Sequence, residues 1–190
     1  MQWYCLAPGP SMSAGLAERV RGNNVAVVGN TYTLAPWADV LIANDSAWWR
    51  RYPEAKQFAG RKFSANAIAD VERVMPNSFG TQSNSGVLAL DVLRNLGATK
   101  IVLLGFDMHG SHYFGPYRNG LRNTSEQQRK NHLRQFRDWR LANPKIDVIN
   151  CTEGSALTCF PVARLDETGL LEPAADEAGQ GGDVCQRAAA

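Results

Sequence analysis

The chain lacks most of the features that sort proteins at a glance. Its four cysteines, Cys5, Cys151, Cys159 and Cys185, include no CxxC pair, so neither a zinc ribbon nor a thioredoxin-like motif is present. No apolar run approaches the roughly 20 residues that cross a bilayer, and no membrane span is expected. No cationic, apolar leader opens the chain, so a cytoplasmic protein with reduced thiols is expected. Neither sign of charge dominates: 20 Lys and Arg against 18 Asp and Glu leave a formal +2, and nucleic acid is not indicated as a partner. No internal repeat is visible. Histidine is scarce, three in 190 residues, and two of the three fall in one loop.

What remains is an ordinary globular composition. With 44% hydrophobic residues in 190, the chain can bury one sizeable core. The organising stretch is Asn84 to Gly110. Val87, Leu88, Leu90, Val92, Leu93 and Leu96 repeat at the three-and-four spacing of an amphipathic helix, and Gly97 stands where a left-handed C-cap belongs. Lys100 to Leu104, KIVLL, is too short for a helix and rich in branched aliphatics, as a buried parallel strand is. Helix, tight turn and strand form half of a βαβ unit, and such units place ligands beyond the carboxyl ends of their strands.

Three more apolar runs fit the same scheme: Trp3 to Ala7, Asn24 to Val28 and Asp39 to Ala43. The first enters Pro8-Gly9-Pro10-Ser11 and a helix from Ala14 to about Val20 capped by Ser11 or Ser13, a turn able to approach an anion. The others end at Asn30 and Asn44, whose amides offer both donors and an acceptor but are equally common in plain turns. Asp45 or Ser46 can cap a short helix carrying Trp48 and Trp49. Weaker strands are read at Arg61 to Ser64 and Val71 to Val74. A polar loop from Pro76 to Ser85 then leads to Asn84-Ser85-Gly86, a second possible anion cradle.

Gly105 to Thr124 is a 20-residue segment holding Asp107, His109, His112, Tyr113 and Tyr117. A loop of that length in a compact domain is usually functional. Beyond it come a basic amphipathic helix to about Leu141 and a last strand, Ile146 to Asn150. His109 and His112 alone do not complete a zinc site, and neither a metal nor a cofactor is expected. The fold class is therefore α/β: a Rossmann-like, mostly parallel sheet flanked by helices, one domain over 1–165, with 166–190 as a disordered tail.

Taken in order, Ala7 to Ser11 (APGPS), Asn30, Asn44, Ser85 to Val87 (SGV), Gly105 to Asp107 (GFD) and Ser111 to Gly115 (SHYFG) resemble the bacterial lipooligosaccharide sialyltransferases. They also resemble the sialyltransferase-like proteins of bacteriophages and, more distantly, the archaeal hydroxymethylpterin pyrophosphokinases. The similarity spans roughly residues 1 to 162. It implies a metal-independent, inverting glycosyltransferase with a nucleotide or nucleotide-sugar partner of the CMP type and an unknown hydroxyl acceptor. It further implies that Gly9, Pro10 and Ser11 approach the phosphate, that Asn30 and Asn44 hold sugar or nucleotide groups, that Asn84, Ser85 and Gly86 meet the nucleotide, and that Tyr113 faces the leaving phosphate.

The chain departs from that family at three positions. Pro116 stands at the second histidine of His-Tyr-Ile-Gly-His, the family's general base; Pro8 replaces an Asn, and Gln82 an Arg. His112 is the remaining base candidate, since an imidazole titrates near neutral pH, and Asp107 is the second. Two alternatives stay open: a non-catalytic nucleotide-binding or sequestering protein of phage origin, and a pterin-type diphosphokinase dependent on ATP and Mg²⁺.

Overall fold

In the computed structural model, residues 1–75, 84–166, 169 and 171–173 are described. The chain runs β1 (Gln2–Leu6), α1 (Ala14–Glu18), β2 (Val25–Val28), β3 (Val40–Ile42), α2 (Ser46–Arg51), β4 (Arg61–Ser64), β5 (Glu72–Arg73), α3 (Ser85–Asn95), β6 (Lys100–Leu104), α4 (Glu126–Ala142), β7 (Asp147–Asn150), β8 (Ala163–Leu165) and β9 (Leu171–Pro173). β1 to β7 form one parallel sheet in the order β5-β4-β3-β2-β1-β6-β7. This is the Rossmann-like α/β architecture.

Alternation along the central strands sorts their side chains onto two faces. Trp3, Cys5, Ala26, Val28, Val40 and Ile42 meet α3 and the inner side of α4. Tyr4, Leu6, Val25, Val27 and Leu41 meet Ala17 of α1 and Trp48 and Trp49 of α2. Because both faces are covered, the strands read as continuous apolar runs in the sequence.

α3 lies between the sheet and α4, and seven of its eleven residues are buried. One of the seven is Asp91, which accepts a hydrogen bond from Trp139 Nε1 of α4 at 2.9 Å and lies 3.6 Å from Arg94. α4 starts with a reciprocal capping box between Ser125 and Gln128 and buries Phe136 and Trp139. It is stabilised by packing one face, not by its basic outer residues.

The order places a topological switch between β1 and β6. From β1 the chain winds outward through β2 to β5, and from β6 it winds the other way to β7. The loops leaving β1 and β6 rise from the sheet at this switch point, where open α/β sheets bind ligands. At their bases the two loops are tied: Ala7 N donates to Leu104 O at 2.8 Å and Gly9 N to Gly105 O at 3.0 Å. Gly105 has φ +71°, and a Cβ there would run into Ala7 O.

Part of the segment expected as a tail from residue 166 is described: Leu171–Pro173 pair antiparallel with Ala163–Leu165. The hairpin packs Leu165 and Leu171 against the α1 face of the sheet, and residues 174–190 lie outside the described part. Gln82, with the rest of 76–83, also lies outside it. No described helix is long and apolar enough to cross a membrane.

Candidate functional site

A cleft of about 630 Å³ opens at the carboxyl rim of the sheet, over the switch point, a size that suits a nucleotide-sized ligand. One wall is built from Gly9 after β1, Asn44 after β3, and Asn84, Ser85 and Gly86 at the start of α3. Asp107 and His112 close it from the segment after β6, and Gln128, Arg129, His132 and Phe136 of α4 form the opposite wall. Thus seven residues singled out in the sequence, Gly9, Asn44, Asn84, Ser85, Gly86, Asp107 and His112, meet in one hollow.

The α3 end is arranged around Asn84. Its side-chain carbonyl accepts from Gly86 N at 3.0 Å and Val87 N at 3.3 Å, capping the helix. Its Nδ2 is buried, with the residue 6% exposed, and has no hydrogen-bond partner among the described residues. An orphaned buried donor costs about 1–3 kcal/mol. Ser85 Oγ accepts from Asn44 N at 3.0 Å, and Asn44 Oδ1 accepts from Ala65 N at 3.1 Å, so the ends of β3 and β4 are stitched to α3. Gly86 is required by close packing, since a Cβ would come within 2.9 Å of the Phe136 ring.

The Gly9 turn differs from the expected anion cradle. Asp107 is 3% exposed and turns its carboxylate back into the turn. Ser11 N donates to its Oδ1 at 3.1 Å and Ser11 Oγ to its Oδ2 at 2.9 Å. The amide expected to meet a phosphate is engaged by an internal carboxylate, and of the two caps expected for α1, Ser13 is the one used. Neither Pro10 nor Ser11 is part of the cleft lining.

Asn30 is also turned away from ligand. It is 8% exposed, and its Oδ1 accepts from Trp48 Nε1 at 2.7 Å and from Tyr117 OH at 2.9 Å. Tyr113 OH donates to the Asn30 carbonyl at 3.0 Å and shares a hydrogen bond of 2.7 Å with Thr33 Oγ1. Asn30 and Tyr113 therefore sit behind the cleft, fastening the long segment to the end of β2, and burial raises the phenol of Tyr113 above its usual range. The adjacent tryptophans support this junction: Trp48 lines the cleft while Trp49 donates to Ala43 O at 2.7 Å.

The segment from Gly105 to Thr124 is held at several points. Tyr113 N donates to Pro8 O at 3.0 Å, Asn119 Nδ2 to Tyr52 OH at 2.9 Å and Arg129 to Gly110 O at 2.9 Å. Ser155 and Thr152, after β7, bond Phe106 O and Phe106 N. Met108 has φ +59°, a left-handed conformation that costs a non-glycine residue about 1–3 kcal/mol and often marks a functional segment.

The three histidines differ in environment. His109 is exposed and its Nε2 lies 3.2 Å from Gly154 O. His112 is half-buried, stacked on Phe114 with ring centroids 4.8 Å apart and planes within 3°, and packed against Tyr117 at 4.7 Å. Burial pushes its pKa below the usual value and a backbone hydrogen bond with Gly115 opposes this, so it is neutral at pH 7. His132 is half-buried on α4 and likewise shifted down by burial. His132 does not stand out in the sequence because it lies on a helix whose charged face reads as solvated. The i, i+4, i+8 spacing of Gln128, His132 and Phe136 is the signal that could reveal it. Pro116, at the base position of the sialyltransferase motif, is exposed and outside the cleft lining. Among the described residues no group of three or more His, Cys, Asp or Glu could hold a metal ion.

Comparison with protein-family models, with curated proteins and with solved structures finds no match to this chain.

Proposed function

We propose that the cleft binds a nucleotide sugar of the CMP type and transfers its sugar, with inversion and without a metal, to a hydroxyl acceptor. The observation that carries this reading is the convergence of Gly9, Asn44, Asn84, Ser85, Gly86 and His112 at the switch point of a Rossmann-like sheet, the position where this architecture takes nucleotides. The donor type comes from the resemblance set out above. The nucleotide lies along the Asn44 and Asn84 wall, with its phosphate near the Asn84 amide and the start of α3. His112, neutral because it is desolvated, accepts the proton of the acceptor hydroxyl. The hydroxyl oxygen bonds to the anomeric carbon as the bond from that carbon to the phosphate oxygen breaks, and the electron pair leaves on the nucleotide phosphate.

A second reading, nucleotide binding without turnover, is favoured by one observation: Pro116 replaces the family's base and faces solvent. One experiment separates the two. The purified protein is incubated with CMP-, UDP- and GDP-sugars and a panel of hydroxyl acceptors, and transfer and donor hydrolysis are measured. The first reading expects turnover that falls about 10²–10⁴-fold in His112→Ala with nucleotide affinity retained. Nucleotide binding with no turnover supports the second, and neither binding nor turnover rejects both.

A further inference from the structure

The charge in the cleft is divided unequally between its walls. Among the described lining residues the two carboxylates, Asp45 and Asp107, both lie on the strand side, where a single arginine, Arg50, accompanies them. Asp45 caps α2, accepting from Ala47 N at 2.7 Å, and Asp107 is held by Ser11. From Met108 onward the described lining contains Arg122, Arg129 and the three histidines, and no carboxylate. The nearby acid Glu126 is outside the lining and paired with Lys130 at 3.1 Å.

The groups on that α4 wall have donors to spare. Arg129 is half-buried and spends one guanidinium nitrogen on Gly110 O, which fixes its position and leaves further N–H groups of the fork. Gln128 uses its carbonyl oxygen in the capping box, so its amide N–H₂ is uncommitted. His132 lies one turn along on the same face and makes no hydrogen bond among the described residues. Phe136 closes the floor beneath it. None of these residues belongs to the Asn44 and Asn84 wall assigned to the nucleotide.

We infer that the α4 wall is the acceptor subsite and selects an acceptor that is itself an anionic sugar, carrying a carboxylate or a phosphate met by Arg129 and His132. Arg122 adds long-range attraction at the rim. This deepens the proposed transfer reaction and rests on it for the word acceptor, but recognition of an anionic sugar by α4 stands separately. Bidentate, charge-assisted contacts of this kind set both affinity and orientation.

The test is a thermal-shift and calorimetric titration of the whole protein with glucose, glucuronate and glucose 6-phosphate, each with and without saturating CMP. Glucuronate or glucose 6-phosphate is expected to bind while glucose does not, and the one that binds more tightly identifies carboxylate or phosphate as the anion. Arg129→Gln with His132→Gln is expected to weaken that binding about tenfold or more, with the CMP shift unchanged. Arg134→Gln, on the outer face of α4, is the control for loss of charge alone and is expected to have no effect. No preference for the anionic sugars over glucose, or a preference that survives the double substitution, overturns the inference. Absence of a CMP shift with anionic-sugar binding intact rejects the nucleotide reading and leaves the α4 subsite standing.

Discussion

Both carboxylate oxygens of Asp107 are held by Ser11, one by its backbone amide at 3.1 Å and the other by its hydroxyl at 2.9 Å, although the two residues are 96 positions apart. The contact locks the loop after β6 to the loop after β1 and so sets the width of the cleft. It also means that an anion cannot use the Ser11 amide without displacing a carboxylate. Asp107→Ala removes the charged acceptor of both the Ser11 amide and the Ser11 hydroxyl and is expected to destabilise the fold by about 1–3 kcal/mol, read as a shift of the urea midpoint. An unchanged midpoint would show that the clamp carries no weight.

Asn30 makes a second prediction. Its side-chain oxygen receives Trp48 Nε1 and Tyr117 OH together. In Asn30→Ala the buried Trp48 and the half-buried Tyr117 lose their acceptor, and about 2–4 kcal/mol of stability is expected to go with them. Hydrogen exchange in residues 113–121 should accelerate, because that segment is anchored at this point; exchange confined to its present rate contradicts the anchoring role.

Two glycines give a matched pair. Gly86→Ala drives a methyl against the Phe136 ring and is expected to cost about 1–3 kcal/mol. Gly15, in α1, has nothing within 4 Å of the position a methyl would take, and Gly15→Ala is expected to stabilise by about 0.4–1 kcal/mol through the unfolded chain. Opposite signs in thermal melts are the expected result, and equal effects refute the packing argument.

The histidines predict a pH dependence. Burial lowers the pKa of both His112 and His132 from the ordinary 6.5. Below that value the unfolded chain takes up protons that the folded protein resists, so stability is full above about pH 6.5 and falls as pH drops toward the folded pKa values. Melting temperatures from pH 8 to pH 5 should decline more gently in His112→Gln and His132→Gln than in the parent. Identical slopes contradict the burial argument.

Much of the fold is readable in the sequence because the central strands are buried on both faces. Runs such as KIVLL at Lys100 to Leu104 and VAVV at Val25 to Val28 leave few alternatives, and Gly97 marks the end of α3 as expected, with φ +86°. The hairpin of Ala163–Leu165 and Leu171–Pro173 is not readable, because three-residue strands carry too little periodicity. The rim can be located from sequence, since strand ends fix it. Which residues face it cannot, because that depends on partners distant in sequence: Asn30 is taken by Trp48 and Tyr117, Ser11 by Asp107, and Tyr113 by Asn30 and Thr33.

If the Asn84 wall receives the phosphate of a nucleotide, Asn84→Asp is the substitution that should disturb it. The carboxylate can still cap α3, as the present side-chain oxygen does, but it puts negative charge at the phosphate position. Thermal shifts and calorimetry with CMP, UDP, GDP and ATP are the measurement. At 100 times the dissociation constant a bound nucleotide adds about 2.7 kcal/mol, a rise of about 5–10 °C for a chain of this size. Such a rise is expected for at least one nucleotide in the parent protein, with affinity at least tenfold weaker in Asn84→Asp; no rise with any of the four, or equal affinity in the two proteins, would mean that Asn84 does not receive a phosphate.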